Sequence, residues 1–159
     1  ALPELDRILP VDAIVPCAHG AAMACLDVRG KLALPVMDYM CDPPADIVAD
    51  YRHVMPGFEE AFCPLLPPAI THGLQLYWQQ RAWPEDFGRI ATMMPWIQYV
   101  AYRLSGTAVA EISSMSCQTH LMDTRLQQPS AMARRFGWDR LFPRMAKAWE
   151  AVGTLQPDF

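Results

Sequence analysis

Fifteen prolines are spread along the 159 residues, and they limit the fold more than any other feature. Each removes a backbone donor and fixes φ, so it ends a helix or sits at the margin of a strand. The chain must therefore be a set of short elements, and at this length they pack as one domain with room for a buried core. Between the prolines the apolar spacing reports which elements form. Leu2, Leu5, Ile8 and Leu9 share a helical face before Pro10. "AIVPCAH" (13–19) reads as a strand, and "AAMACLDV" and "KLALPVMD" read as two arms of a hairpin about Arg29-Gly30. The reading thus starts with three strands in a row.

Helical spacing dominates the rest. Ile47, Val48, Tyr51, Val54 and Met55 form one stripe; Leu74, Tyr77, Trp78 and Ala82 form another before Pro84. Phe87, Ile90, Ala91 and Met94 recur at helical intervals, as do Ile97, Val100, Ala101 and Leu104 before Gly106. These Met and aromatic stripes read as core rather than as a cofactor box. A strand is expected through "MSCQTHLMD" (115–123), then a helix capped by Ser130 with Met132 and Phe136, then a last helix with Met145, Ala148, Trp149 and Val152. The expected class is α/β, helix-rich, with a small mixed sheet.

Composition excludes several functions. A hydrophobic content of 52% with 19% charged residues is that of a folded chain, and a net charge of -4 leaves no basic footprint for nucleic acid. No apolar run reaches the roughly 20 residues of a membrane span, so a soluble, cytoplasmic chain is expected. Five cysteines, Cys17, Cys25, Cys41, Cys63 and Cys117, lie in no C-x-x-C pair and are expected as buried thiols in a reducing compartment. Four dispersed histidines make no metal cluster. The patterns of phosphate loops, dinucleotide folds, zincins and hydrolase elbows are missing from the sequence. What remains is a concentration of polar groups, "AHG" and "MDY", where the early strands should end.

Those stretches carry a resemblance. "CAHGAAMACLDVRGKLALPVMDYMCD" resembles the sugar loop of the FGGY carbohydrate kinases, typically M-H-G followed by a hairpin and an aromatic-polar tail. "ATMMPWIQYVAYRLSGTAVAEISSMSCQTHLMDTR" is similar to the family's D-Y-l … L-T-G … E-x-S-x-A-S run, and "FGWDRLFPRMAKAWEAVGTLQPD" to the segment after it. The resemblance implies an actin-like, ribonuclease-H-like (ASKHA) fold, with residues 1–159 forming part of the N-terminal lobe. It implies ATP-dependent phosphorylation of a small sugar or polyol by the complete protein, with ATP and Mg2+ bound elsewhere in the kinase chain. The family's phosphate-contacting D-x-G-[ST] turn and its catalytic G-x-x-D segment have no counterpart in these residues, so this segment alone is expected to be inactive. Where the family has W-x-D-x-R, Tyr39 falls near the Trp and Cys41 near the Asp.

The expected partners are a sugar or polyol and the remainder of the kinase chain, with no nucleic acid and no membrane; a homo-oligomer stays open. The substrate-binding set is His19, Gly20, Asp38, Tyr39, His72 and Gln75, with no catalytic residue and no metal ligand in this chain. His19 offers a donor and an acceptor to hydroxyls, Tyr39 an apolar ring face, and Asp38 a carboxylate. Each has a plainer alternative: a strand-end hydrogen bond for His19, a turn for Asp38, and a water-facing helix start for His72 and Gln75. Glu111, Ser113, Ser114 and Thr119 are expected to hold their strand and loop, Asp123 to fix a turn, and Glu59 and Glu60 to form a solvated face. The alternative from another class is a noncatalytic sugar-binding or interaction module derived from the same lobe.

Overall fold

Met23-Ala24-Cys25-Leu26 is buried on both faces, and a strand in that position needs a partner on its hydrogen-bonding edge. The computed structural model, which describes residues 2–159, supplies one from far along the chain. β1 (Met23–Leu26) pairs antiparallel with β2 (Thr92–Pro95), Met23 opposite Pro95 and Leu26 opposite Thr92. The two-residue period of β1 then separates two cores. Met23 and Cys25 join Leu74, Leu76, Tyr77, Met93 and Trp138, while Ala24 and Leu26 join Met94 and Tyr99.

The elements run α1 (Leu2–Ile8), β1, α2 (Ala45–Arg52), α3 (Phe58–Ala61), α4 (His72–Ala82), α5 (Pro84–Phe87), β2, α6 (Trp96–Ser105), β3 (Val109–Glu111), α7 (Ile112–Ser116), β4 (Met122–Asp123), β5 (Gln128–Pro129), α8 (Ala131–Arg135), a 3-10 turn (Trp138–Leu141) and β6 (Arg144–Ala146). The mixed helix and strand content agrees with the expected α/β class. The small mixed sheet does not form as one sheet: β1-β2 and β4-β5 are antiparallel pairs, and β3-β6 is a parallel pair. Among the described residues no helix is long and apolar enough to cross a membrane.

Where local signals decide, the expected elements form. The hairpin turn is present, with Gly30 at φ 72° and the Asp27 carboxylate accepting the N–H groups of Arg29 (2.8 Å) and Lys31 (3.0 Å). Those bonds hold the Asp27 carboxyl below its usual range, the Lys31 amide contributing most. Ser130 caps α8 by accepting the Ala133 N–H, and Gly106 closes α6 at φ 73°. Glu111, expected to hold a strand and its loop, instead caps an unexpected helix, α7, by accepting from the Ser113 and Ser114 amides. Burial pushes its carboxyl up, the four Ser113 and Ser114 hydrogen bonds push it down, and the net displacement is downward. The Asp123 carboxylate fixes its turn through the Arg125 and Leu126 amides, both at 3.0 Å.

Five expectations are corrected. Residues 13–19 are irregular and mostly exposed, because none of the described strands offers them an edge and Pro16 removes a donor. The second hairpin arm pairs only over its first residues, through the Asp27 N–H to Lys31 carbonyl bond, the Leu26–Leu32 bridge and the Ala33 N–H to Cys25 carbonyl bond, after which Pro35 has no N–H to continue. The helix expected over Phe87–Met94 stops at Phe87, and residues 92–95 form β2 instead, drawn into the ladder by buried β1. The strand expected over 115–123 begins as helix α7 and turns through Gln118 and His120, both at positive φ, so only Met122–Asp123 is paired. The expected last helix is replaced by β6, which lies parallel to β3 with Ala110 opposite Met145; this leaves Trp149 exposed.

Two smaller readings change as well. Glu60 is not merely solvated, since its Oε1 accepts the Ala131 N–H at 2.6 Å at the start of α8. All five cysteines are free, but only Cys25 and Cys63 are buried. Burial pushes the Cys25 thiol up to about 12, which keeps it protonated and unreactive.

Candidate functional site

Helix α4 organises the site because it is buried nearly all round: His72 to Tyr77 and Gln79 are inaccessible. A polar residue in such a helix must find a partner inside the protein. Gln75 does so with two backbone carbonyls, donating from Nε2 to Ala21 (2.8 Å) and Ala69 (2.6 Å). Gln79 donates to the Pro35 carbonyl at 3.4 Å. The Gly73 N–H donates to the Thr119 carbonyl at 2.8 Å, and this close approach requires glycine. A Cβ there would fall on the Tyr51 hydroxyl and lie 3.0 Å from both Met132 Cε and the Thr119 carbonyl. The first turn of α4 thus fastens residues 20–22, 69–71 and 118–120 to one another.

On top of this junction lies a row of rings. His19 is exposed, with its ring 5.3 Å from that of Tyr39 and 6.4 Å from that of Trp96, nearly parallel to the latter at 17°. Trp96 continues the row to Tyr99 at 5.2 Å and Tyr99 to Tyr102 at 6.2 Å. Backbone hydrogen bonds fix the two rings beside His19: the Trp96 N–H donates to the Ala22 carbonyl at 2.9 Å, and the Ala69 N–H donates to the Tyr39 carbonyl at 3.2 Å. An exposed imidazole beside two aromatic rings has a donor and an acceptor to offer, and the rings offer apolar faces. That combination suits a polyhydroxylated ligand, whose hydroxyls need donors and acceptors and whose C–H faces pack on aromatic rings.

The six residues picked from the sequence divide into three groups. His19, Gly20 and Tyr39 come together at the surface, with the Gln118 amide nitrogen 3.6 Å from where a Gly20 Cβ would lie. His72 and Gln75 lie beneath them, inside the protein, so their water-facing alternative is overturned: His72 is 0% exposed and Gln75 1%. Burial lowers the His72 imidazole to about 4 despite nearby carbonyls of Gln118, Ala22 and Gly20, which keeps it neutral at pH 7. Asp38 closes its own turn by accepting the Met40 N–H at 2.9 Å. It also lines a groove of about 450 Å³ with Trp78, Gln79, Trp83 and Asp86.

Sequence reasoning missed Trp96 and Gln118. The Pro95-Trp96 step did carry a signal, since proline ahead of a helix marks a start whose first side chain can project from the core. Nothing local places Gln118 beside Gly20. Among the described residues no group of three or more His, Cys, Asp or Glu could hold a metal ion.

No protein-family model matches the chain, and no curated protein matches it. Solved structures do. A carbohydrate kinase from Novosphingobium aromaticivorans is 38% identical over 99% of this chain, with a TM-score of 0.90, and the match covers 34% of that kinase. A gluconate kinase from Lactobacillus acidophilus matches 98% of the chain at 13% identity and a TM-score of 0.78, over 32% of its own length. A xylulose kinase from Rhodospirillum rubrum matches 86% at 19% identity and a TM-score of 0.73, over 29% of its length. The latter two likenesses show the fold alone. The chain thus spans about a third of the length of the carbohydrate kinases whose structures it resembles.

Proposed function

We propose that this chain is the sugar-facing part of the N-terminal lobe of an FGGY-type kinase, one that phosphorylates a small sugar or polyol with ATP in the complete protein. The observation that carries the reading is the Tyr39–His19–Trp96 cluster, an exposed imidazole in ring contact with two aromatic side chains. The 38% identity to a carbohydrate kinase supports it. Tyr39 and Trp96 cover the apolar face of the sugar, and His19 hydrogen-bonds its hydroxyls. ATP and Mg2+ are expected on the remainder of the kinase chain, as the resemblance to these kinases implies, and the groups of this segment take no step of phosphoryl transfer. A kinase of this kind works in the cytoplasm, where ATP is supplied.

The test is sugar-dependent ADP release by the complete polypeptide that carries these residues, measured over a panel of ketoses, sugar acids and polyols. One or a few members of the panel are expected to drive turnover, and the 159 residues alone are expected to give none. Turnover by the segment alone would overturn this division of labour. Saturable sugar binding by the complete polypeptide without ADP release would leave the noncatalytic module as the better reading.

A further inference from the structure

The hairpin turn about Gly30 is seated against α6. Gly30 stands at φ 72°, and a Cβ there would fall on the Tyr102 hydroxyl, so the turn and that phenol are in direct contact. Gln156 holds the C-terminal end of the same helix, its N–H donating to the Leu104 carbonyl at 2.8 Å and its Nε2 to the Arg103 carbonyl at 3.3 Å. Where these three segments meet there is a cavity of about 450 Å³, walled by Lys31, Tyr99, Tyr102, Arg103 and Gln156 beside the turn.

The charge of this cavity runs against that of the chain. The net charge is -4, yet the lining holds a lysine and an arginine and no carboxylate. Among the described residues no carboxylate lies within ion-pair distance of either cation. Asp27, at the foot of the same turn, is already committed: it accepts the Arg29 and Lys31 amides at 2.8 and 3.0 Å and pairs with the Arg29 guanidinium at 3.5 Å. Arg103 gives one donor to the Tyr99 hydroxyl at 3.4 Å, which leaves most of the five N–H donors of a guanidinium free. The Tyr102 hydroxyl makes no hydrogen bond to the described residues.

We propose that this cavity binds the phosphate group of a small molecule as its dianion. Two cations balance two negative charges, whereas a carboxylate would leave one cation unmatched. A guanidinium meets phosphate oxygens through paired N–H donors and an ammonium acts as a point charge, and the phenol hydroxyls supply donors for the remaining oxygens. A phosphate group fills only a few water volumes, so the cavity has room for an organic remainder. The Tyr99 and Tyr102 rings, 6.2 Å apart and inclined by 30°, offer that remainder apolar faces. The site lies at the far end of the ring row from His19 and does not depend on the kinase reading.

Lys31 and Lys147 are the two lysines of these 159 residues, so one amine-modification experiment carries its own control. The complete polypeptide is partly acetylated in inorganic phosphate, phenyl phosphate, acetate or chloride at matched ionic strength, and both lysines are read by peptide mass spectrometry. The readout is local to Lys31, so phosphate bound elsewhere in the polypeptide does not enter it. Both phosphates are expected to slow modification of Lys31 severalfold and saturably, with Lys147 unchanged and with no effect of acetate or chloride. Arg103→Gln should raise the half-protecting concentration about tenfold, the scale of one lost hydrogen bond to a charged group, and Arg103→Lys, which keeps the charge, should raise it less. Stronger protection by phenyl phosphate assigns the site to a small organic phosphate, and equal protection assigns it to the free anion. Protection matched by acetate or chloride would reduce the effect to screening and overturn the proposal. An unprotected Lys31, or an Arg103→Gln protein protected like the parent, would overturn it too.

Discussion

The Tyr51 hydroxyl lies 3.0 Å from Nδ1 of His120, with the two rings stacked at 8°. The other nitrogen of His120 is 3.0 Å from the Cys63 carbonyl. A carbonyl only accepts, so Nε2 carries the proton and donates to Cys63, and Nδ1 must accept from Tyr51. This pair joins α2 to the turn after α7, directly below the N-terminus of α4. Tyr51→Phe leaves Nδ1 buried without a donor and should cost about 1–3 kcal/mol. Denaturant unfolding of the complete polypeptide reads this; an unchanged midpoint would contradict the assigned tautomer.

Gly73→Ala tests the same junction from the helix side. The new Cβ meets the Tyr51 hydroxyl, Met132 Cε and the Thr119 carbonyl, and overpacking of this kind costs roughly 1–3 kcal/mol. Removing the hydroxyl removes one of the three obstacles. Gly73→Ala should therefore be less costly in a Tyr51→Phe background than in the parent, a coupling that a double-mutant cycle reports. Strict additivity would show that the hydroxyl does not fill the glycine's place.

Acid should weaken the fold through its buried histidines. Burial lowers His72 from 6.5 to about 4 and also lowers His120. Below pH 6.5 the unfolded chain binds protons that the folded one refuses, so stability rises with pH in this window. The contribution is fully present above 6.5 and is lost as pH falls toward 4, by about 1 kcal/mol per pH unit for His72. The test is unfolding free energy against pH, and His72→Gln should flatten the slope. A parent curve flat from pH 6.5 to 4 would mean that neither histidine is buried neutral.

At the surface the ring row and the Asp38 turn make opposite predictions. His19→Ala should lower kcat/KM for the sugar by roughly 1–3 kcal/mol, with ATP binding unchanged. Asp38→Asn should leave kcat/KM near the parent value, because asparagine can still accept the Met40 N–H. Steady-state kinetics on the complete polypeptide check both. A folded His19→Ala enzyme with normal sugar kinetics would remove His19 from the site, and a sugar-specific loss in Asp38→Asn would add Asp38 to it.

Leu5, Ile8, Leu9 and Val15 are exposed, and Pro3, Val11, Ile14, Leu104, Leu155 and Phe159 line an apolar cleft beside them. Such a surface promotes association. The isolated 159 residues should bind a hydrophobic dye and self-associate more than the complete polypeptide does. A monomeric segment with low dye binding, unfolding cooperatively, would show that this face needs no cover.

What the sequence determined by itself is what neighbours in the chain can determine. Gly30 and Asp27 make the hairpin turn, Ser130 and Glu111 cap their helices, Asp123 fixes its turn, and Gly106 closes α6, because the groups that satisfy each terminus lie within about four residues of it. The pairing of His19 with Tyr39 was legible in outline, since both sit at the ends of the hairpin segment. Only the tertiary structure decided the rest. Residues 92–95 have helical spacing, yet they are a strand because β1, some seventy residues earlier, is buried and needs an edge. Residues 144–146 are a strand because β3 offers one, and residues 13–19 are not because none is offered. His72 and Gln75 look like the solvated start of a helix, but the glycine between Tyr51 and Thr119 draws that start into the interior, and Trp96 reaches His19 through the ladder that joins β1 to β2. Strand pairing and ring contact depend on partners distant in sequence, and the spacing of apolar residues within one segment does not specify them.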